Sequence, residues 1–353
     1  MARKAPRIRG CNRIGRGGFR PAAQIAESAA GARIVAVTKS APGISGEFCR
    51  IRTEDGLELQ GFYSAPRSGL GHNPNSPNGI GSCPAPTAVV HVHGWDGNFY
   101  ENRFIDRTAA TCSRLGLGLA AFNNRGHDYI SDLLRPADQD YVQMGGVYER
   151  FEECLPDVAA AVDFTQNRGC RRVFLQGHSL GATKATHYLT KTRDSRVAGL
   201  ILLSPADGLG WIRRKLGREF PGVLRYARRL VRQGRSTELL PSRLYDSPIS
   251  ARTFVNAFGP RSLTGMFNMS RTDRQQFPEL AAVKVPVLLV VGTIEEYFVG
   301  AAQGFVDRVA ACLKNCPSFT GIVVEGAPHN YLGYEAKLAA VLGRWLKQEA
   351  FSP

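Results

Sequence analysis

The chain has 353 residues, 43% of them hydrophobic, and a formal net charge of +15. That length can bury one large α/β domain with an insertion, or two small domains, and no apolar run reaches the ~18 residues of a membrane-spanning helix. The charge is concentrated: residues 1–40 hold nine Lys/Arg against Glu27 alone, residues 205–250 hold ten against four acids, and the rest is close to neutral. This differs from the even basic face of a nucleic-acid-binding domain, so no nucleic-acid partner is expected.

Residues 1–40 are rich in Arg and poor in acids and lack the apolar stretch of a secretory signal. They read as a disordered basic tail, with an organellar transit peptide as the alternative to a cytoplasmic location. Strands are predicted at 47–53 and 57–64, joined by Glu54-Asp55-Gly56, a hairpin signal. Residues 66–86, rich in Pro, Gly, Asn and Ser, read as a surface loop. The run Thr87 to His93 lacks polar alternation, as in a strand buried on both faces of a parallel sheet. A helix over 101–115, a strand over 117–123 and a helix over 149–167, interrupted near Pro156, follow. Strands are then predicted at 171–176, 197–203 and 285–291, a helix at 300–313, a strand at 319–324 and a helix at 334–348. Strands alternating with helices give a doubly wound, mostly parallel sheet.

One connection breaks the rhythm. Between Leu203 and Val285 the chain is far longer than an ordinary αβ linker. Trp211, Ile212, Leu216, Val223, Leu224, Ala227, Leu230 and Val231 recur at helical spacing, with Pro221 splitting them into two amphipathic helices. The α/β core is therefore expected over 41–204 and 281–353, with a helical cap over 205–280. The interleaved arginines (Arg213, Arg214, Arg218, Arg225, Arg228, Arg229, Arg232) form a solvated basic face or, alternatively, attract an anionic substrate. The eight cysteines (11, 49, 83, 112, 154, 170, 312, 316) show no pairing pattern and no zinc-type cluster. Neither metal nor cofactor is expected. Cys112, Cys154 and Cys170 read as reduced core residues.

The chemistry centres on Gly177-His178-Ser179-Leu180-Gly181, between the 171–176 strand and the helix from Ala182. G-x-S-x-G at a strand-to-helix turn is the context of a nucleophile elbow; the alternative is a Gly-rich turn with a buried hydroxyl. A serine needs a base, and the base an orienting carboxylate. Of the seven histidines, His329 alone follows the late strands, at a carboxyl end where ligands gather. The carboxylate is expected after strand 285–291, at Glu295, with Glu296 as the alternative. Leu180 N–H and a group from His93-Gly94-Trp95-Asp96-Gly97, either Trp95 or Asp96, are the expected oxyanion donors. His93, Phe99, Tyr100, His178 and Tyr297 are candidates for the substrate pocket.

These four elements, in this order, resemble the α/β-hydrolase superfamily over about residues 47–350. The His-Gly-Trp loop, the segment Asn123 to Asp128 and the turn at Glu295-Glu296-Tyr297 resemble more narrowly a branch of fungal and bacterial hydrolases that includes fungal siderophore esterases. That branch often has Asp where this chain has Glu295. The resemblance implies a serine hydrolase acting on a small-molecule acyl substrate, most simply a carboxylic ester. The same groups could cleave an amide, a thioester or a C–C bond, or transfer the acyl group. Two other classes stay open: a non-catalytic binding member of the fold, and a protein docking its basic segments on anionic membranes without stable insertion. Oligomeric state leaves no mark in the sequence.

Overall fold

The computed structural model describes residues 44–66, 85–242, 247–260, 262–269, 277–298 and 300–351. The expected basic tail and most of the 66–86 loop lie outside the described residues. The chain opens with an antiparallel hairpin of β1 (Glu47–Arg52) and β2 (Glu58–Ser64). Then come β3 (Thr87–Val92), α1 (Phe104–Arg114), β4 (Gly118–Phe122), the small hairpin β5 (Ser131–Arg135) and β6 (Asp140–Met144), and α2 (Cys154–Asn167). β7 (Arg172–His178), α3 (Leu180–Thr192) and β8 (Val197–Leu203) complete the first half. The insert carries α4 (Gly208–Leu216), α5 (Phe220–Arg232), α6 (Ala251–Phe258) and the short α7 (Pro278–Ala281). The chain then closes the sheet with β9 (Val287–Ile294), α8 (Ala302–Cys312), β10 (Phe319–Pro328) and α9 (Glu335–Phe351).

Eight strands form one sheet in the order β1-β2-β4-β3-β7-β8-β9-β10. It is parallel from β4 to β10, and β2 runs antiparallel to β4. The central strands carry no polar alternation because both faces are covered. Val89, Phe174, Ile201, Leu288 and Val290 pack towards α1 and α9. Val90, Leu175, Leu200, Leu202, Leu289 and Val291 pack towards α2, α3 and α8. Cys112, Cys154 and Cys170 are free thiols in this core.

Three local readings change. Pro156 does not interrupt a helix: a 3₁₀ turn over Phe151–Glu153 precedes α2, and Pro156 falls in its first turn, where no intrahelical N–H is required. The insert breaks at Gly217 (φ +50°), and Pro221 lies in the first turn of α5. The β5–β6 hairpin has no counterpart among the predicted elements; its turn uses Gln139 in the left-handed region (φ 55°). Within the insert Leu209, Ile212, Leu216, Phe220, Val223, Ala227 and Leu230 pack on Phe254 and Phe258 as a separate hydrophobic cluster. Burial of a large apolar side chain contributes about 1.5–3 kcal/mol, so the insert has its own reason to fold. Among the described residues no helix is long and apolar enough to cross a membrane.

Candidate active site

The elbow geometry is explicit. β7 ends at His178, α3 begins at Leu180, and Ser179 between them takes φ 56°, ψ −124°. Left-handed backbone at a non-glycine residue costs of order 1–3 kcal/mol and persists only where the surroundings enforce it. The flanking glycines are required by close approach. A Cβ on Gly181 would lie 2.6 Å from the His93 carbonyl oxygen and closer still to that of Val92. One on Gly177 would lie 2.5 Å from Ala182 Cα. The loop after β3 crosses directly above: a Cβ on Gly94 would come within 2.8 Å of Ser179 Cβ and 3.3 Å of its Oγ.

His329 sits just past the carboxyl end of β10, and Glu295 just past that of β9. His329 Nδ1 donates to Glu295 Oε1 at 2.6 Å and Oε2 at 2.9 Å. The Glu295 side chain is 1% exposed, so water does not compete for these bonds. With its proton on Nδ1, His329 presents a lone pair at Nε2. Glu296 is exposed and, among the described residues, has no bond to His329. The histidine loop is tied down at two further points. His178 Nε2–H donates to the His329 carbonyl at 3.0 Å, with burial pushing the His178 pKa well below its usual range. Tyr331, buried with φ 56°, donates to the Val290 carbonyl at 2.8 Å and accepts from Ser204 at 2.9 Å.

Ser179 and His329 line one cavity of about 260 Å³, with Trp95, Asp96, His178, Trp211, Tyr297 and Asn330 among its other walls. No hydrogen bond joins Ser179 Oγ to His329 among those of the described residues; such bonds are often long in unliganded sites and tighten on substrate binding. The Tyr297 ring lies 4.4 Å from the His329 ring, and both residues, with Asn330, also line a second cavity that includes Glu295, Glu296 and Pro328. Leu180 N–H opens α3 and belongs to the first turn, which has no intrahelical acceptor. Trp95 follows Gly94 over the serine, its ring stacked on Phe258 of α6 at 5.9 Å.

Three residues expected at the pocket sit elsewhere. His93 is fully buried: Nδ1–H donates to the Gly94 carbonyl at 2.9 Å and Nε2 accepts from Asn124 N–H at 2.7 Å. Burial, with Lys184 nearby, keeps it neutral, and it joins two loops rather than facing a ligand. Phe99 stands edge-on to Phe48 and Tyr100, and Tyr100 is exposed, its hydroxyl 3.5 Å from Asp128. None of the described arginines of the insert lines the cavity with Ser179. Arg214 instead donates to the carbonyls of Glu296 and Phe298, bracing the turn that carries Glu295.

Some supporting groups went unassigned in the sequence. Arg125 is buried between Asp157 (Nη2–Oδ1 2.7 Å) and Asp55 (2.8 Å), and Lys184 of α3 forms a buried ion pair with Glu149. Trp211 lines the cavity although its spacing placed it on an apolar helix face. Asp96, with φ 46°, also faces the cavity, and burial raises its carboxyl pKa to about 6. Among the described residues no group of three or more His, Cys, Asp or Glu is arranged to hold a metal ion.

The profile of the family described as serine aminopeptidase, S33, matches residues 84–333, a span that includes Ser179, Glu295 and His329. The chain belongs to that α/β-hydrolase family. No curated protein sequence matches it. Solved structures share the fold at low identity. Est1E of Butyrivibrio proteoclasticus, solved with ferulic acid bound, superposes with a TM-score of 0.56 at 18% identity, covering 85% of this chain and 98% of its own. A Pyrococcus furiosus esterase gives 0.55 at 16% identity, with coverages of 87% and 92%. A monoacylglycerol lipase of Paleococcus ferrophilus gives 0.50 at 20% identity, with coverages of 74% and 94%.

Proposed function

We propose that the chain is a cofactor-independent serine hydrolase cleaving a carboxylic ester of a small-molecule acyl substrate. Ser179 Oγ attacks the acyl carbon while His329 Nε2 takes its proton, and Glu295 stabilises the imidazolium that forms. The tetrahedral oxyanion is held by the N–H groups of Leu180 and Trp95. The C–O bond to the alcohol breaks as His329 returns the proton to the leaving oxygen. Water, deprotonated by His329, then attacks the acyl-Ser179 ester and releases the acid. The insert over 205–280 acts as the cap, contributing Trp211 and Ser247 to the cavity wall.

The observation that carries this reading is the left-handed Ser179 in one cavity with a His329 whose Nδ1 is already committed to Glu295. The ester chemistry named for the structural neighbours agrees with it. The test is labelling with a fluorophosphonate, which reads an activated serine without knowledge of the substrate. Wild type should be labelled at Ser179, and Ser179→Ala and His329→Ala should not. A folded wild type that resists the probe would refute the assignment and favour a binding protein on this fold.

A further inference from the structure

We propose that Asp96 is a specificity determinant that selects substrates carrying a cationic nitrogen next to the scissile acyl group. This rests on Ser179 being the nucleophile. Asp96 lies two residues after Gly94, the glycine packed against Ser179, and lines the same cavity as Ser179 and His329. Its backbone is left-handed, a conformation that costs energy at a non-glycine residue and clusters at ligand sites. Gly146 makes room for it: a Cβ there would lie 2.9 Å from Asp96 Cβ.

The electrostatics around this carboxylate are one-sided. Burial and then the fields of Glu101, Glu149 and Asp128 disfavour its charged form, opposed by a single neutral donor, the Ser247 hydroxyl. No Lys or Arg lines the cavity among the described residues. Of the cations of α4, Arg213 lies over the Phe220 ring at 5.6 Å, Arg214 donates to the carbonyls of Glu296 and Phe298, and Lys215 lies over the Trp211 ring at 5.1 Å. Among the described residues Asp96 therefore has no cationic partner.

The walls facing it suit an ammonium group. Trp211 and Tyr297 line the cavity with ring centroids 5.6 Å apart, and aromatic faces beside a carboxylate attract ammonium ions. The Lys215 contact shows the Trp211 ring already doing so with a protein cation. At roughly 30 Å³ per water, 260 Å³ is room enough for a group of trimethylammonium size. An anionic or purely apolar group there would leave the Asp96 carboxylate dehydrated without a countercharge.

The test uses two phosphonate esters identical except that one carries trimethylammonium and the other tert-butyl at the same position. Rates of phosphonylation of Ser179 are read by intact mass on the full chain. Wild type should react about 10–100 times faster with the cationic probe, and the ratio should fall to within about threefold of unity in Asp96→Asn. Asp96→Glu, which keeps the charge, should recover part of the preference. Equal rates in wild type would overturn the proposal, as would a preference that survives in a folded Asp96→Asn. Were Asp96→Asn unable to fold, the wild-type ratio and its decline with added salt would still decide: a salt-insensitive ratio overturns the proposal. Failure of both probes to label Ser179 would remove the hydrolase reading, and this inference with it.

Discussion

Glu295→Gln should nearly abolish hydrolysis without altering the fold. Both carboxylate oxygens lie close to His329 Nδ1, at 2.6 and 2.9 Å. A carboxamide in the same place sets an N–H₂ donor against Nδ1–H in either of its two orientations. The imidazole relieves that clash by moving its proton to Nε2, which leaves no lone pair for the serine. With the Glu295 side chain only 1% exposed, water cannot substitute for the lost acceptor. The comparable amide substitution in the Ser-His-Asp template lowers kcat about 10⁴-fold, or about 5.4 kcal/mol at 1.36 kcal/mol per decade. The assay is turnover of a short-chain p-nitrophenyl ester, with thermal unfolding as the control for folding. Glu296→Gln, altering an exposed side chain, should stay within about threefold of wild type. A folded Glu295→Gln retaining more than about a tenth of the activity would refute the reasoning, as would a large loss in Glu296→Gln.

Two further outcomes follow from packing and protonation. Gly181→Ala would ordinarily strengthen a helix by about 1 kcal/mol, but here its Cβ meets the carbonyls of Val92 and His93. Overpacking costs of ~1–3 kcal/mol or more should give a net loss in urea unfolding; an unchanged or raised midpoint would contradict the close approach. His91 on β3 is buried, accepts from the Gln176 amide at 2.9 Å, and has its pKa lowered by burial from 6.5 to about 4. The folded chain keeps it neutral while the unfolded chain takes up a proton below pH 6.5. Stability present above pH 6.5 is therefore lost as the pH falls towards 4, at about 1.4 kcal/mol per pH unit. Urea titrations at pH 7 and pH 4.5 should show a smaller decrease in His91→Gln than in wild type, and equal decreases would count against it.

The parts of this fold that were legible in the sequence are those whose causes are local. β3 and β7 are apolar runs because helices cover both of their faces, and the elbow shows itself because Gly177 and Gly181 are each demanded by a close contact. His329 and Glu295 could be located because chain order fixes which strand end each follows, and the two are hydrogen-bonded. What stayed hidden depends on partners distant in sequence. His93 reads as a pocket residue until Asn124, 31 residues away, claims its Nε2. Nothing in the sequence around Arg125 marks the partners Asp157 and Asp55 that enclose it. β5 and β6 are short and half-exposed, so neither a buried run nor clear alternation marks them. Trp211 obeys the helical period, and periodicity cannot tell a residue facing a core from one facing a cavity.

The dispersal of the site along the chain has a consequence for how the protein is made. Ser179 and His329 are 150 residues apart, and His329 follows the strand at the sheet's far edge. At about 5–20 residues per second, a growing chain holds its elbow serine for roughly 8–30 s before the histidine has been translated. On the proposed assignment the serine lacks its base throughout that interval and is an ordinary alcohol. On the proposed assignment, the base reaches the serine only once β10 is seated against β9.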